Sequence, residues 1–289
     1  DGKQQVEPAE NVGNFTLNIT DGTEDEDAVE LRNVLLSHFG LAQKPFQIEA
    51  LRQRDGQTRI FFLFDLMVVD ARSLTILVDN LWHLYADSEA QLPNTALSLP
   101  RYVALDTERR KDIEQKRRED KFWSTLCDRE PEDGGMYPHP QIPLAVDQDP
   151  RYGHISRLSS SITVDKWRRI CKLCRDEGLT ESSLVFACYI AVLASWSSTK
   201  KFTMNAALFS RDVNLHTGAS DLVGNLSSTM LVPVDVSLKA APSLRALTKT
   251  LQDTVLRCMD HSVCTSGTDT MARLNKRDNM MGRAVAPFV

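Results

Sequence analysis

No stretch of the 289 residues is long and apolar enough to cross a bilayer; the longest apolar run, Ile60 to Val69, is interrupted by Asp65. No basic opening followed by an apolar segment marks a secretory signal. Positive charge is not in excess either: 34 Lys and Arg face 39 Asp and Glu, for a net charge of −5. A mildly acidic chain has no electrostatic reason to seek nucleic acid or an anionic membrane. There is no glycine-rich phosphate loop, no nucleophile elbow, no internal repeat and no low-complexity tract. Cysteine is sparse, at 127, 171, 174, 188, 258 and 264, and only Cys171 and Cys174 have a suggestive spacing. With no second CxxC and no nearby His pair, a metal site is not expected. Trp167, Ile170, Cys171 and Cys174 recur at helical spacing, so these thiols are expected to face a core, and the cytoplasm is the expected compartment.

What is present is strand and helix in alternation. Gln4–Glu7 reads as a short strand, and Glu24–Phe39 as an amphipathic helix closed by Gly40. Pro45–Arg54 and Thr58–Met67 read as strands around the turn Asp55-Gly56-Gln57, the second apolar enough to predict cover on both faces. A helix follows, with Leu74, Leu77, Val78, Leu81 and Tyr85 on one face. Residues 108–126 predict a charged helix whose interleaved signs fit a solvated face, docked by Phe122, Trp123 and Leu126. The Pro-, Gly- and Asp-rich stretch 130–150 is the expected boundary, giving lobes 1–135 and 136–289. Beyond it, 155–163, 202–209 and 229–236 read as strands; 164–176, 180–196, 242–259 and 268–275 read as helices. The helix 180–196 is apolar nearly all round and is expected to be buried. Alternation in both halves predicts two α/β sandwiches rather than a bundle.

His83-Leu84-Tyr85-Ala86-Asp87 has the spacing of the HxxxD acyltransferase motif, but His83 falls in mid-helix and is read as non-catalytic. Asp65 is different, because it closes the run Phe61-Phe62-Leu63-Phe64. A carboxylate buried there without partners would cost several kcal/mol or take up a proton. An internal ion pair would satisfy Asp65, and Asp70 is placed to cap the helix that starts near Ala71.

The segment Asp65-x-x-x-x-Asp70-Ala71-Arg72-Ser73-Leu74 resembles the DxxxxD signature of heterocyclization domains of nonribosomal peptide synthetases. In that family it replaces the HHxxxDG motif of ordinary condensation domains; here Asp65 and Leu66 stand at the two histidine positions. Further pieces follow in order. Asp1-Gly2-Lys3-Gln4-Gln5 is similar to the tail of an early motif, and Pro140-Gln141-Ile142-Pro143-Leu144 to a proline-rich linker. Leu193-Ala194-Ser195-Trp196 fits the LxxW helix end; Phe202-Thr203-Met204-Asn205 with Leu208-Phe209-Ser210-Arg211 fits the strand written FTLNLTLFNR. Asp260-His261 with Ser266-Gly267 resembles DHRxxSG, and Ala286-Pro287-Phe288-Val289 the start of PVVFTS. One departure is Gly224-Asn225-Leu226-Ser227 in place of Gly-Asp-Phe-Thr. The missing initiator methionine and the stop before the threonine of PVVFTS make a fragment the expectation.

The resemblance implies two chloramphenicol-acetyltransferase-like lobes in a V arrangement with a tunnel between them. It implies upstream and downstream peptidyl carrier proteins presenting thioesters on phosphopantetheine arms, no cofactor bound by the domain itself, and an adjacent adenylation domain. The expected reaction is amide formation with a carrier-bound Cys, Ser or Thr, then cyclodehydration to a thiazoline or oxazoline; plain condensation and a non-catalytic carrier-binding module are the alternatives. An ordinary aspartate is ionised at neutral pH and a poor acid, so Asp65 and Asp70 are read as architects of the catalytic site rather than its proton shuttle. Asp65 would shape the tunnel or orient the amine, and Asp70 would pair with Arg211. Asn205 would bind the amide, Ser227 is a further catalytic candidate, and Ser266 and His261 are the substrate-binding candidates.

Overall fold

Two strands joined by a tight turn form the centre of the first half. In the computed structural model, which describes residues 17–22, 25–38, 45–93, 97–143, 159–237 and 243–279, β2 (Phe46–Arg52) pairs antiparallel with β3 (Thr58–Phe64). The turn works because Gly56 adopts φ +83, a conformation open to glycine, while the Asp55 carboxylate accepts from the Gln57 peptide N–H at 2.9 Å. A short β1 (Asn18–Asp21) lies parallel to β2, and the sheet order is β1-β2-β3. Helix α1 (Asp25–His38) crosses between β1 and β2 and packs on β3. Helix α2 (Ala71–Ala86) follows β3.

The larger core belongs to the second half. There β4 (Lys201–Phe209) and β5 (Ser227–Asp235) pair antiparallel along nine residues each, with Asn205 opposite Leu231. Around them lie α3 (Leu99–Arg109), α4 (Ile113–Cys127), α5 (Val164–Asp176), α6 (Glu181–Trp196), α7 (Leu244–Asp260) and α8 (Gly267–Arg277). Trp123, Ile190, Phe202, Met204, Met230, Leu231, Leu251 and Leu274 form one buried cluster. Gly267 fixes how α8 meets the sheet: a Cβ there would lie 2.0 Å from the Thr229 carbonyl oxygen.

The chain divides into two compact units, one of Asp1–Leu99 with Ser220–Leu226 and one of Pro100–Ala219 with Ser227–Val289. Residues 100–135, which the composition-based boundary gives to the first lobe, pack with the second unit because Trp123 and Cys127 of α4 are part of its core. The Pro-rich 140–143 also packs there: Gln141 donates its N–H to Ser197 Oγ and accepts from the Ser198 N–H.

Most predicted elements form, and the differences concern burial and breaks. The charged helix expected over 108–126 is two helices, because Asp112 caps a new start by accepting from the Gln115 N–H. Residues 159–163 of the strand expected at 155–163 carry no regular structure, and its remainder lies outside the described residues, as does Gln4–Glu7. Strand β3 is not covered on both faces, since Ile60 and Phe62 are exposed. Helix α2 leaves Val78, Leu81 and Tyr85 open, Tyr85 at 81%. Helix α6 buries Ala187, Ile190 and Ala194 but exposes Val185, Tyr189, Val192 and Trp196. Trp167 is exposed as well, while Cys174, about two turns further along α5, is buried. Apolarity predicts which faces are able to be buried; the layers that pack against them decide which are. Among the described residues, no single helix is long and apolar enough to cross a membrane.

Candidate functional site

Strand β3 ends at Phe64, three residues earlier than the apolar pattern predicts, because Asp65 folds the chain back on itself. Its Oδ1 accepts from the Met67 N–H at 2.8 Å, and its carbonyl accepts from Val68 and Val69. This Asx turn leaves Leu66 and Met67 exposed at the tip. The turn delivers Asp70 to the start of α2, where it is only 2% exposed. There Oδ1 accepts from the Ser73 N–H at 2.8 Å, the helix cap that the sequence predicts. Its other oxygen, Oδ2, accepts from the Leu226 N–H at 3.1 Å, more than 150 residues away in sequence.

A second contact ties the same two segments. Ser73 Oγ accepts from the Gly224 N–H at 2.9 Å. Its single proton serves either Asp70 Oδ1 at 2.8 Å or the Gly224 carbonyl at 2.9 Å. Asn225 donates its side-chain N–H to the Leu66 carbonyl at 2.7 Å. The departure Gly-Asn-Leu-Ser is therefore matched to its surroundings: a carboxylate at 225 has no proton to give that carbonyl. Residues 224–226 and the turn 65–73 make one hydrogen-bonded knot within the first unit.

The remaining sequence-predicted residues sit in the second unit. Asn205 lies on β4, and its Oδ1 is buried with no hydrogen-bond partner. Arg211 follows the end of β4 in the loop Ser210–Asp212, and Ser227 opens β5. Ser266 caps α8, its hydroxyl accepting from the Asp269 N–H while Asp269 accepts from the Ser266 N–H. The Ser266 hydroxyl donating to the Asp269 carboxylate at 2.7 Å, joined by the Ser266 N–H, holds that carboxyl below the usual carboxylate range. His261 closes α7: its ring stacks on Phe122 at 4.1 Å between centroids, and Nδ1 lies 2.8 Å from the Arg257 carbonyl. The structure thus brings Asp65 and Asp70 together in one unit and sets Asn205, Arg211, Ser227, His261 and Ser266 in the other.

Sequence reading misses Glu119, which is fully buried in α4. Its carboxylate accepts peptide N–H bonds from Val263, Cys264 and Thr265 and one from the Gln115 side chain. It thereby shapes the Asp260–Gly267 segment, whose start is also held by Trp123 Nε1 donating to the His261 carbonyl. Nothing in the alternating charges of α4 marks this residue out. Burial pushes the Cys127 and Cys258 thiols up to about 12, so neither is a nucleophile near neutral pH. Among the described residues, no group of His, Cys, Asp and Glu is arranged to hold a metal ion.

These features can be set beside known proteins. The sequence model of the Condensation domain matches residues 3–266. The chain belongs to the condensation-domain family. Bacitracin synthase 1 of Bacillus licheniformis is 26% identical to this condensation domain over 240 residues, 81% of the chain and 4% of that protein. Phenyloxazoline synthase MbtB of Mycobacterium sp. (strain MCS) is 26% identical over 291 residues, 100% of this chain and 24% of that protein. Pyochelin synthetase PchE of Pseudomonas aeruginosa (strain UCBPP-PA14) is 25% identical over 91% of the chain and 18% of its own length. The domain thus spans less than a quarter of the length of each of these relatives. Among solved structures, the EpoB NRPS cyclization-docking bidomain from Sorangium cellulosum superposes with a TM-score of 0.76 at 25% identity, covering 96% of this chain and 56% of that one. The fold is the chloramphenicol-acetyltransferase-like α/β fold of these peptide-synthetase domains.

Proposed function

We propose that this condensation domain performs heterocyclization in a nonribosomal peptide synthetase. In the first step, the amine of a carrier-bound Cys, Ser or Thr attacks an upstream acyl thioester; a C–N bond forms, the C–S bond breaks and the carrier thiol is released. In the second, the side-chain thiol or hydroxyl adds to the new amide carbon, and that carbon's oxygen departs as water to leave a thiazoline or oxazoline. The substrates arrive on phosphopantetheine arms of two carrier proteins, with an adenylation domain as the natural neighbour.

The β3–α2 turn carries this reading. It holds Asp65 and Leu66 where the condensation resemblance has histidines, and the Asp70 carboxylate is already committed to the peptide N–H groups of Ser73 and Leu226. A group so engaged is suited to framing a site rather than moving protons. Similarity to a phenyloxazoline synthase and to the EpoB cyclization domain points the same way. In this reading Asp65 shapes the approach to the reacting thioester, and Asp70 and Arg211 are each residues that frame the site. Asn205 Oδ1, a buried acceptor lacking a donor, receives an N–H of the amine or amide. Alignment of two thioesters supplies much of the first step, and dehydration needs a general acid for the departing hydroxyl.

The test loads an upstream carrier with an acyl group and a downstream carrier with cysteine, adds the chain or its natural polypeptide, and follows the downstream carrier by intact mass. Acyl gain followed by loss of water is the expected result. Amide that never dehydrates would replace heterocyclization with plain condensation, and neither product would leave a carrier-binding module.

A further inference from the structure

Helix α3 has no apolar stripe to announce it in the sequence, yet one of its faces converges on a single loop of the second unit. Tyr102, Asp106 and Arg109 lie at i, i+4 and i+7 and so share that face. Tyr102 is 3% exposed. Its hydroxyl donates to the Ser210 carbonyl at 2.9 Å and accepts from the Asp212 N–H at 2.9 Å. One phenolic oxygen therefore holds the peptide groups on either side of Arg211. The rest of the loop is held from both flanks. Ser210 Oγ lies 2.8 Å from Ser228 Oγ on β5, and Asp212 Oδ1 accepts from the Asn214 N–H at 2.9 Å. Asp212 Oδ2 pairs with Arg109, whose guanidinium also pairs with Asp106, and Asp106 in turn accepts from Arg110 Nε at 2.6 Å.

A strand end of three residues would not by itself need a buried tyrosine and two partly buried carboxylates clamping one arginine between them. Burial of polar groups is costly unless they are satisfied; here Arg109 Nε is buried without a partner, while both ends of its guanidinium and the Tyr102 hydroxyl are engaged, so the network stands for a fixed geometry. We propose that the Tyr102–Asp106–Arg109 face of α3 positions Arg211, with Tyr102 as the decisive positioning residue. This rests on the reading of Arg211 as a residue that frames the acyl-transfer site. Tyr102 touches no reacting atom in this scheme; it sets the backbone from which the Arg211 side chain extends.

The test is a double-mutant cycle on the single-turnover rate of amide formation between loaded carriers. The four proteins are the parent, Tyr102→Phe, Arg211→Ala and the double variant, each checked for an unchanged cooperative melt. Tyr102→Phe keeps the buried ring and removes only the hydroxyl; a slowing of about tenfold is expected from misplacement of the loop. The double variant is expected to be no slower than Arg211→Ala alone, because the hydroxyl acts through that arginine. A Tyr102→Phe rate equal to the parent, or losses that multiply in the double variant, would overturn the proposal. If Arg211→Ala itself keeps the parent rate, the assigned role of Arg211 fails first and the positioning role falls with it; this differs from a silent Tyr102→Phe beside an impaired Arg211→Ala. Should Tyr102→Phe lose its melt, Asp212→Asn takes its place in the cycle, since it loosens the Arg109 pair and leaves the tyrosine intact. Slowing that vanishes in the Arg211→Ala background then supports the proposal, and a parent-like rate or multiplied losses overturn it.

Discussion

Asp70 in the first unit and Glu119 in the second are both buried carboxylates, and both gather peptide N–H groups. Asp70 collects Ser73 and Leu226; Glu119 collects Val263, Cys264 and Thr265. In each case one partner is local to the carboxylate's helix, Ser73 or Gln115, and another comes from more than 140 residues away. The difference lies in what else the residue is asked to do. Asp70 sits in a turn with exposed neighbours and a recognisable signature, whereas Glu119 sits inside the main core with Trp123 and Cys127 one and two turns further along α4. A buried acid is therefore not by itself a sign of acid–base chemistry. Oriented peptide dipoles can satisfy it, and its job is then to join distant segments.

Three substitutions break or sharpen that comparison. The largest effect is expected for Glu119→Ala, which leaves three peptide donors, that of Thr265 buried, without their acceptor; a loss of about 3 kcal/mol or more in urea unfolding, followed by tryptophan fluorescence, is the expected outcome. A loss no greater than that of Asp70→Asn would mean that the three bonds are not what holds the Asp260–Gly267 segment. Asp70→Asn comes next. An amide still accepts from Ser73 but turns its own N–H toward that of Leu226, at a cost of about 1–3 kcal/mol. Hydrogen exchange measured by mass spectrometry should rise in 220–226 before it rises elsewhere. The smallest effect is expected for Asn225→Asp. It restores the residue usual in the family yet removes the donor to Leu66, and a loss of about 1 kcal/mol should appear as a lowered urea midpoint. A raised midpoint would show that the asparagine is no adaptation to this turn.

Much of the architecture is legible in the chain. The hairpin at Gly56, the helix after Asp70, α5, α6, α7, α8 and the strands β4 and β5, though not their pairing, follow from periodicity and from turn and cap residues, which act over a few positions. Helix α3 escapes because its 11 residues begin with Leu99-Pro100 and carry charges in mid-course, so no apolar stripe marks it. Burial is the poorest guide: the patterns of β3, α2 and α6 predict cover, and the structure leaves parts of each exposed. For the site, Asp65 and Asp70 are legible through a motif, and the capping role of Asp70 through local spacing. The bond from Asp70 to Leu226, the Asn225–Leu66 contact, Glu119 and the Tyr102 clamp are not.

The physical reason is range. The sequence by itself determined most of the elements and the turn that carries the two aspartates, because caps, turns and alternation are set by neighbours within about one helical turn, and the order of its motifs along the chain pointed to the family. Only the tertiary structure decided which distant amides complete the Asp70 and Glu119 carboxylates. Those bonds join residues more than 140 positions apart, and no local pattern encodes a partner at that distance.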